Sequence, residues 1–118
     1  MIKVKKFIKL TKLPATSTKK YKATFIVTTI DGKEKEKNIS FGARGYRDYT
    51  LMNKKGNKFF LPLENERKKI RANYLGRHQK NENWNNVLSA GALSRWILWN
   101  KPKIGDSMIF FIKKFKLK

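Results

Sequence analysis

The sequence predicts an α+β fold: a small antiparallel sheet, made of hairpins at about residues 20-41 and 49-62 plus terminal strands, packed by two helices at about 64-80 and 87-100. Three observations predict it. Tyr21 to Ile30 is dense in β-branched and aromatic residues and runs straight into Asp31 and Gly32, a dipeptide suited to a tight strand reversal. Glu64 to Lys80 carries acids at its start, bases at its end and a stripe of Arg67, Ile70, Tyr74 and Arg77 or His78, as an amphipathic helix aligned with its dipole does. Asn86 to Pro102 is the long run least diluted by lysine, and Leu88, Ala92, Trp96 and Trp99 recur there at helical spacing.

Taken in order, Ile2, Val4, Ile8 and Leu10 fall on even positions with lysines between them, which predicts a strand with one wet face. Two readings of this basic arm, about residues 1-18, stand side by side: lysines that guard an exposed sheet edge, or lysines laid on a polyanion. Pro14 to Thr18 is a turn. The return strand, Glu34 to Phe41, is expected to place Ile39 and Phe41 on the face of Ile26 and Ile30, with Phe25 and Val27 on the other.

Phe41 to Thr50 (FGARGYRDYT) is the most unusual stretch. Gly42 and Gly45 permit positive φ, and Arg44 and Arg47 would project beside Tyr46 and Tyr49. The loop either cradles an anion or is a tight turn pinned by Asp48 against a neighbouring arginine, its tyrosines turned inward. It lacks the spacing and the Gly-Lys-Ser/Thr ending of a nucleotide phosphate loop. Tyr49 to Met52 and Phe59 to Leu61 then read as a hairpin with a basic tip of Lys54, Lys55 and Lys58, closed by Pro62. On the following helix, Lys68, Lys69, Arg71 and Lys80 face outward. Trp84 folds back, its indole nitrogen donating to a carbonyl.

Asn85 or Asn86 is the expected cap of the tryptophan-bearing helix, Gly91 between Ala90 and Ala92 admits the close approach of another backbone, and Pro102 ends the run. Met108 to Ile112 reads as a buried strand. Lys113 to Lys118 alternates lysine with Phe115 and Leu117, like the start of the chain, so the two ends are expected to pair or to lie on the same sheet edge.

A chain of 118 residues is expected to be a single domain. Without cysteine it has no disulfide or thiolate metal site, and its one histidine and scattered acids suit neither a zinc site nor a metal-dependent nuclease. No cofactor, catalytic residue or metal ligand is assigned, and the chain is not expected to be an enzyme. The apolar run Leu88 to Trp99 is too short to cross a bilayer, and no leader segment is evident.

The formal charge of +21, from 29 Lys plus Arg against 8 Asp plus Glu, predicts a partner rich in negative charge: nucleic acid, the acidic face of another protein, or an anionic membrane surface. Most of the basic residues are lysine, which neutralises without specifying. The residues expected to meet that partner are Lys3, Lys5, Lys6, Lys9, Arg44, Arg47, Lys54, Lys55, Lys58, Lys68, Lys69, Arg71, Lys113, Lys114 and Lys116. Those expected to form the core are Trp84, Trp96, Trp99, Tyr74, Phe25 and Phe41.

Three segments between roughly Ser40 and Lys103 carry a resemblance: FGARGYRDYT, then RKKIRANYLGRHQKNENW, then SAGALSRWILWNKP. They resemble a family of small basic proteins of large eukaryotic DNA viruses, the phycodnavirus and mimivirus relatives. The segment Leu51 to Leu63 is longer than that pattern, and Ala92 and Leu93 stand where it tends to have aromatic residues. The resemblance implies a viral gene product, located in the virion and, in the infected cell, in the cytoplasm or viral factory. Two functions are consistent with it. One is a non-enzymatic minor capsid or cement-type protein docking on neighbouring virion proteins; the other is a sequence-independent nucleic-acid binder that condenses the viral genome. The first accords better with the lack of any recognition motif.

Overall fold

The computed structural model describes residues 2–117. An antiparallel sheet in the order β1-β2-β3 (Lys3–Lys12, Lys19–Thr28, Glu34–Ala43) is followed by helices α1 (Tyr49–Met52), α2 (Glu64–His78), α3 (Ala90–Leu93) and α4 (Ile104–Lys114), so the fold is α+β as expected. The chain forms two compact units, Met1–Arg44 with Ile112–Lys118, and Gly45–Phe111.

In the first unit, the reversal between β2 and β3 is one residue longer than a two-residue Asp31-Gly32 turn. Thr29 donates its N–H to the carbonyl of Lys33, Gly32 donates back to Thr29, and Gly32 takes φ 82°, the left-handed conformation of a three-residue loop. One residue of register exchanges the faces of a strand. Ile39 therefore pairs with Ala23 and Phe41 with Tyr21, on the face of Phe25 and Val27 and not that of Ile26. Ala23, Phe25, Val27 and Phe41 are fully buried, while Ile30 at the loop tip is 85% exposed.

β1 departs from simple alternation as well. Register shifts between Val4 and Lys6 and between Phe7 and Lys9 insert an extra residue twice. Val4, Phe7 and Leu10 thereby pair with Val27, Phe25 and Ala23, and Phe7 meets Phe25 edge-on at 5.5 Å. Ile8, expected on the covered face, is 42% exposed. Gly42 and Gly45 do adopt positive φ, 80° and 89°.

In the second unit, the expected 49-62 hairpin is replaced by α1 and an asparagine-stapled loop. Asp48 caps α1, accepting from Leu51 N at 3.0 Å and from the Thr50 hydroxyl. Asn57 donates to the carbonyls of Leu51 and Lys54 and accepts from Phe59 N. These side-chain bonds satisfy backbone groups within the segment, and its two arms meet through Leu61 N donating to Met52 O at 3.0 Å instead of through a strand ladder. Tyr49 is buried, and Tyr46 is exposed instead of turned inward.

α2 begins and ends close to the expected bounds, with Arg67, Ile70, Tyr74 and His78 half-buried along one stripe and Arg77 outside it. The tryptophan-bearing helix starts later than expected. Asn83 and Asn86 accept from Asn85 N and Leu88 N in tight turns, and Ser89 is the residue that caps Ala92. At Ser94–Leu98 the helix widens by one residue per turn, closing with Trp99 N to Ser94 O at 3.0 Å. That extra residue rotates the inward face: Ala92, Leu93, Ile97, Leu98 and Trp99 are buried, and Trp96 is only half-buried.

The run MIFFI is helical, contrary to its reading as a strand. Ser107 and Phe111 are fully buried, Ile104, Met108, Ile112 and Phe115 line the flanks of the same stripe, and Ile109 is 70% exposed. A short apolar run fits either periodicity, and length decides it here. Among the described residues the chain's two ends do not pair as strands, since β1 is hydrogen-bonded to β2 and Lys113 and Lys114 lie in α4; Met1 and Lys118 lie outside the described residues.

Candidate functional site

The second unit brings two of the separated motifs, Tyr74 to Trp84 and Ala90 to Pro102, together around Glu82. Its Oε2 meets His78 Nδ1 at 2.7 Å, and its Oε1 accepts from the Trp84 indole at 2.9 Å, a carboxylate where a carbonyl was expected. Trp96 in turn donates its indole N–H to the carbonyl of Trp84 at 2.7 Å. Gly91 creates the room: a Cβ there would stand 2.9 Å from Glu82 Cδ, so the small residue admits a carboxylate and not a second backbone.

Above this group lies a stack of rings. Tyr74 stacks parallel to Trp99 at 3.9 Å and, inclined by 23°, on His78 at 4.0 Å. Burial first, then the Glu82 and Asp48 carboxylates, push the Tyr74 phenol up to about 12. Arg95 lies 4.2 Å from the Trp96 ring centre and 5.1 Å from that of Trp84. Its Nε and Nη1 are buried with no hydrogen-bond partner, and burial together with the Arg71 charge lowers its pKa to about 10. Trp84, Trp96 and Tyr74, all expected in the core, are half-buried members of this cluster, whereas Trp99, Phe25 and Phe41 are buried as expected.

Of the three arginines among the expected partner contacts, Arg44 and Arg71 turn inward and Arg47 does not. Arg44 donates from Nε to Ser17 O at 2.9 Å and from Nη2 to the carbonyls of Leu13, Pro14 and Lys19, tying the β1–β2 turn to the end of β3. Arg71 donates to Trp99 O at 2.8 Å and lies over Tyr49, and Arg67 donates to Leu61 O at 2.7 Å. Arg47 is exposed. A planar fork of donors suits convergent carbonyls, which is why these positions are arginine and not lysine.

The lysines are placed differently. Lys3, Lys5, Lys6, Lys9, Lys54, Lys55, Lys58, Lys68, Lys69, Lys113, Lys114 and Lys116 are all exposed. Lys5 pairs with Glu34, and Lys68 with Glu64 at 2.7 Å, a contact that holds the Glu64 carboxyl below its usual range. Eight acids cannot neutralise 29 cations, so a field of exposed ammonium groups remains. Among the described residues no helix is long and apolar enough to cross a membrane.

Sequence reasoning missed the convergence on Glu82 and the inward turn of Arg44 and Arg95. A signal for the first was present: a small residue, Gly91, and an acid, Glu82, in otherwise tryptophan-rich segments. No curated protein and no solved structure matches the chain. One family model, that of a family of unknown function (DUF5754), matches residues 8–55, from within β1 through β3 and α1 to the basic loop beyond it, which is under half of the chain.

Proposed function

We propose that this chain is a non-enzymatic basic component of a virus particle, which docks through lysine-covered surfaces on a polyanionic neighbour. The observation that carries the reading is the division of its cations: four of the six arginines, Arg44, Arg67, Arg71 and Arg95, engage the chain's own carbonyls and rings, and most of the lysines are left at the surface. Lysine-only contact supplies attraction without fixing the geometry of the partner, and the rings of Tyr74, Trp84 and Trp96 are already engaged: Tyr74 by Trp99 and His78, Trp96 by Phe110, and both tryptophans by Arg95. His78 is engaged by Glu82 and Tyr74, which supports a structural role for it.

Mass spectrometry of purified particles, before and after removal of their DNA, tests the reading. Retention in the protein shell is the expected result; absence from particles overturns it. A second reading, in which the neighbour is the genome itself, is favoured by the exposed lysines of β1, and predicts loss of the protein together with the DNA. Titration of random duplex at two salt concentrations separates the two, because phosphate contacts weaken steeply with salt.

A further inference from the structure

β1 is written in triplets: Lys3-Val4-Lys5, Lys6-Phe7-Ile8, Lys9-Leu10-Thr11. In a regular strand a period of three would scatter the lysines over both faces. The two bulges prevent this. Each sets two residues of β1 against one of β2, so that Lys3, Lys6 and Lys9 pair with Thr28, Ile26 and Thr24, alternate residues of a regular strand. The three lysines therefore form a row on one face, opposite the buried face of Val4, Phe7 and Leu10, and all three are exposed. Alternate residues of a strand are about 6.5 Å apart, which is of the order of the separation between successive phosphates in one strand of nucleic acid.

The rest of this face gives the row a direction. On β3, Glu34 and Glu36 pair with Thr28 and Ile26, which places them on the lysine face two strands away, about 10 Å from the row. Lys5 is paired with Glu34, which leaves Glu36 as the uncompensated carboxylate of this face, while Lys3, Lys6 and Lys9 have no acid beside them on β1. The positive charge of the face is thus concentrated along β1. Protection of a free edge needs charge on the strand but not this ordering of the charge onto one face.

We infer that the Lys3, Lys6, Lys9 row is a track for the sugar-phosphate backbone of single-stranded nucleic acid, one ammonium group to each phosphate, read without regard to base sequence. The inference rests on the second of the two docking readings, in which the polyanionic neighbour is nucleic acid, and names the form of that partner and its site. A straight row matches an extended single strand, whose phosphates stay in line with it, better than a duplex, whose strands wind away.

The test is fluorescence anisotropy of the full chain with a labelled oligothymidylate and with random duplex, over a salt series. The variant Lys3→Gln/Lys6→Gln/Lys9→Gln is compared with Lys54→Gln/Lys55→Gln/Lys58→Gln, which loses the same charge elsewhere, and melting curves check both folds. The β1 variant is expected to lose about 30-fold in affinity for the single strand, with the slope of log K against log salt reduced by about 2, while the control loses less than about threefold. Single Lys6→Gln, should the triple variant not fold, is expected to reduce the slope by about 0.7. Equal losses in the two triple variants, an unchanged slope, or tighter binding of duplex than of single strand would each overturn the track. Wild-type protein that binds acidic protein surfaces but no nucleic acid overturns the track and leaves the docking reading standing; protein that binds neither overturns both.

Discussion

Glu82 shares one carboxylate between His78 and the Trp84 indole, in a space that Gly91 leaves open. Gly91→Ala is therefore expected to displace Glu82 and cost about 1–2 kcal/mol, the overpacking outweighing the gain in helix propensity. In a Glu82→Ala background the same change should become neutral or mildly stabilising, and a double-mutant cycle by urea unfolding checks the reversal of sign. Tyr74 makes a second prediction. Its phenol is pushed up to about 12, so between pH 10 and 12 the unfolded chain releases the proton first; the stability it contributes is complete below about pH 10 and drains away as pH rises through 12. Absorbance titration should find one tyrosine ionising late, and Tyr74→Phe should abolish that step. Arg95 has a cost beside its ring contacts, since two of its nitrogens are buried without acceptors.

The sheet shows how one residue at a turn governs a whole element. Ile30 is exposed, yet deleting it would shorten the loop to two residues and turn fully buried Phe41 and half-buried Ile39 to the opposite face. The deletion is expected to cost about 2–4 kcal/mol, from one fully buried apolar side chain at 1.5–3 and a second at about half of that, whereas Ile30→Asn should cost under about 0.5 by the same urea assay. This also marks the limit of what was legible. The existence of β2, β3 and α2 could be read from composition and periodicity, because those signals are local. The register could not, because Asp-Gly serves both a two-residue turn and a three-residue loop. The bulges of β1 hid Phe7 behind an apparent alternation of Ile2, Val4, Ile8 and Leu10, and the helix at MIFFI was hidden by a run too uniform to have a period. At the candidate site the lysines were legible as a surface. The roles of Arg44 and Arg95 were not, since nothing local distinguishes an arginine that turns inward from one that turns out.

At the scale of the whole molecule the net charge of +21 is self-repelling, and salt should screen it. The melting temperature is expected to rise by several degrees between low and physiological ionic strength, the equivalent of about 1 kcal/mol, as scanning calorimetry at two salt concentrations would record. Binding to a polyanion should move the opposite way over the same range. The opposition matters, because a variant that merely unfolds at low salt would lose both properties together, while one that loses a phosphate contact keeps its melting curve. The sign of the charge was plain from composition; its division between interior and surface was not.

That division has a chemical corollary. Arg47 and Arg77 apart, the cations left at the surface end in primary amines, and the guanidinium groups of Arg44, Arg67, Arg71 and Arg95 are folded into the body of the protein. Acylation reaches amines and spares guanidinium, so one mild reagent or one transferase could erase nearly all of the attraction while leaving the architecture in place.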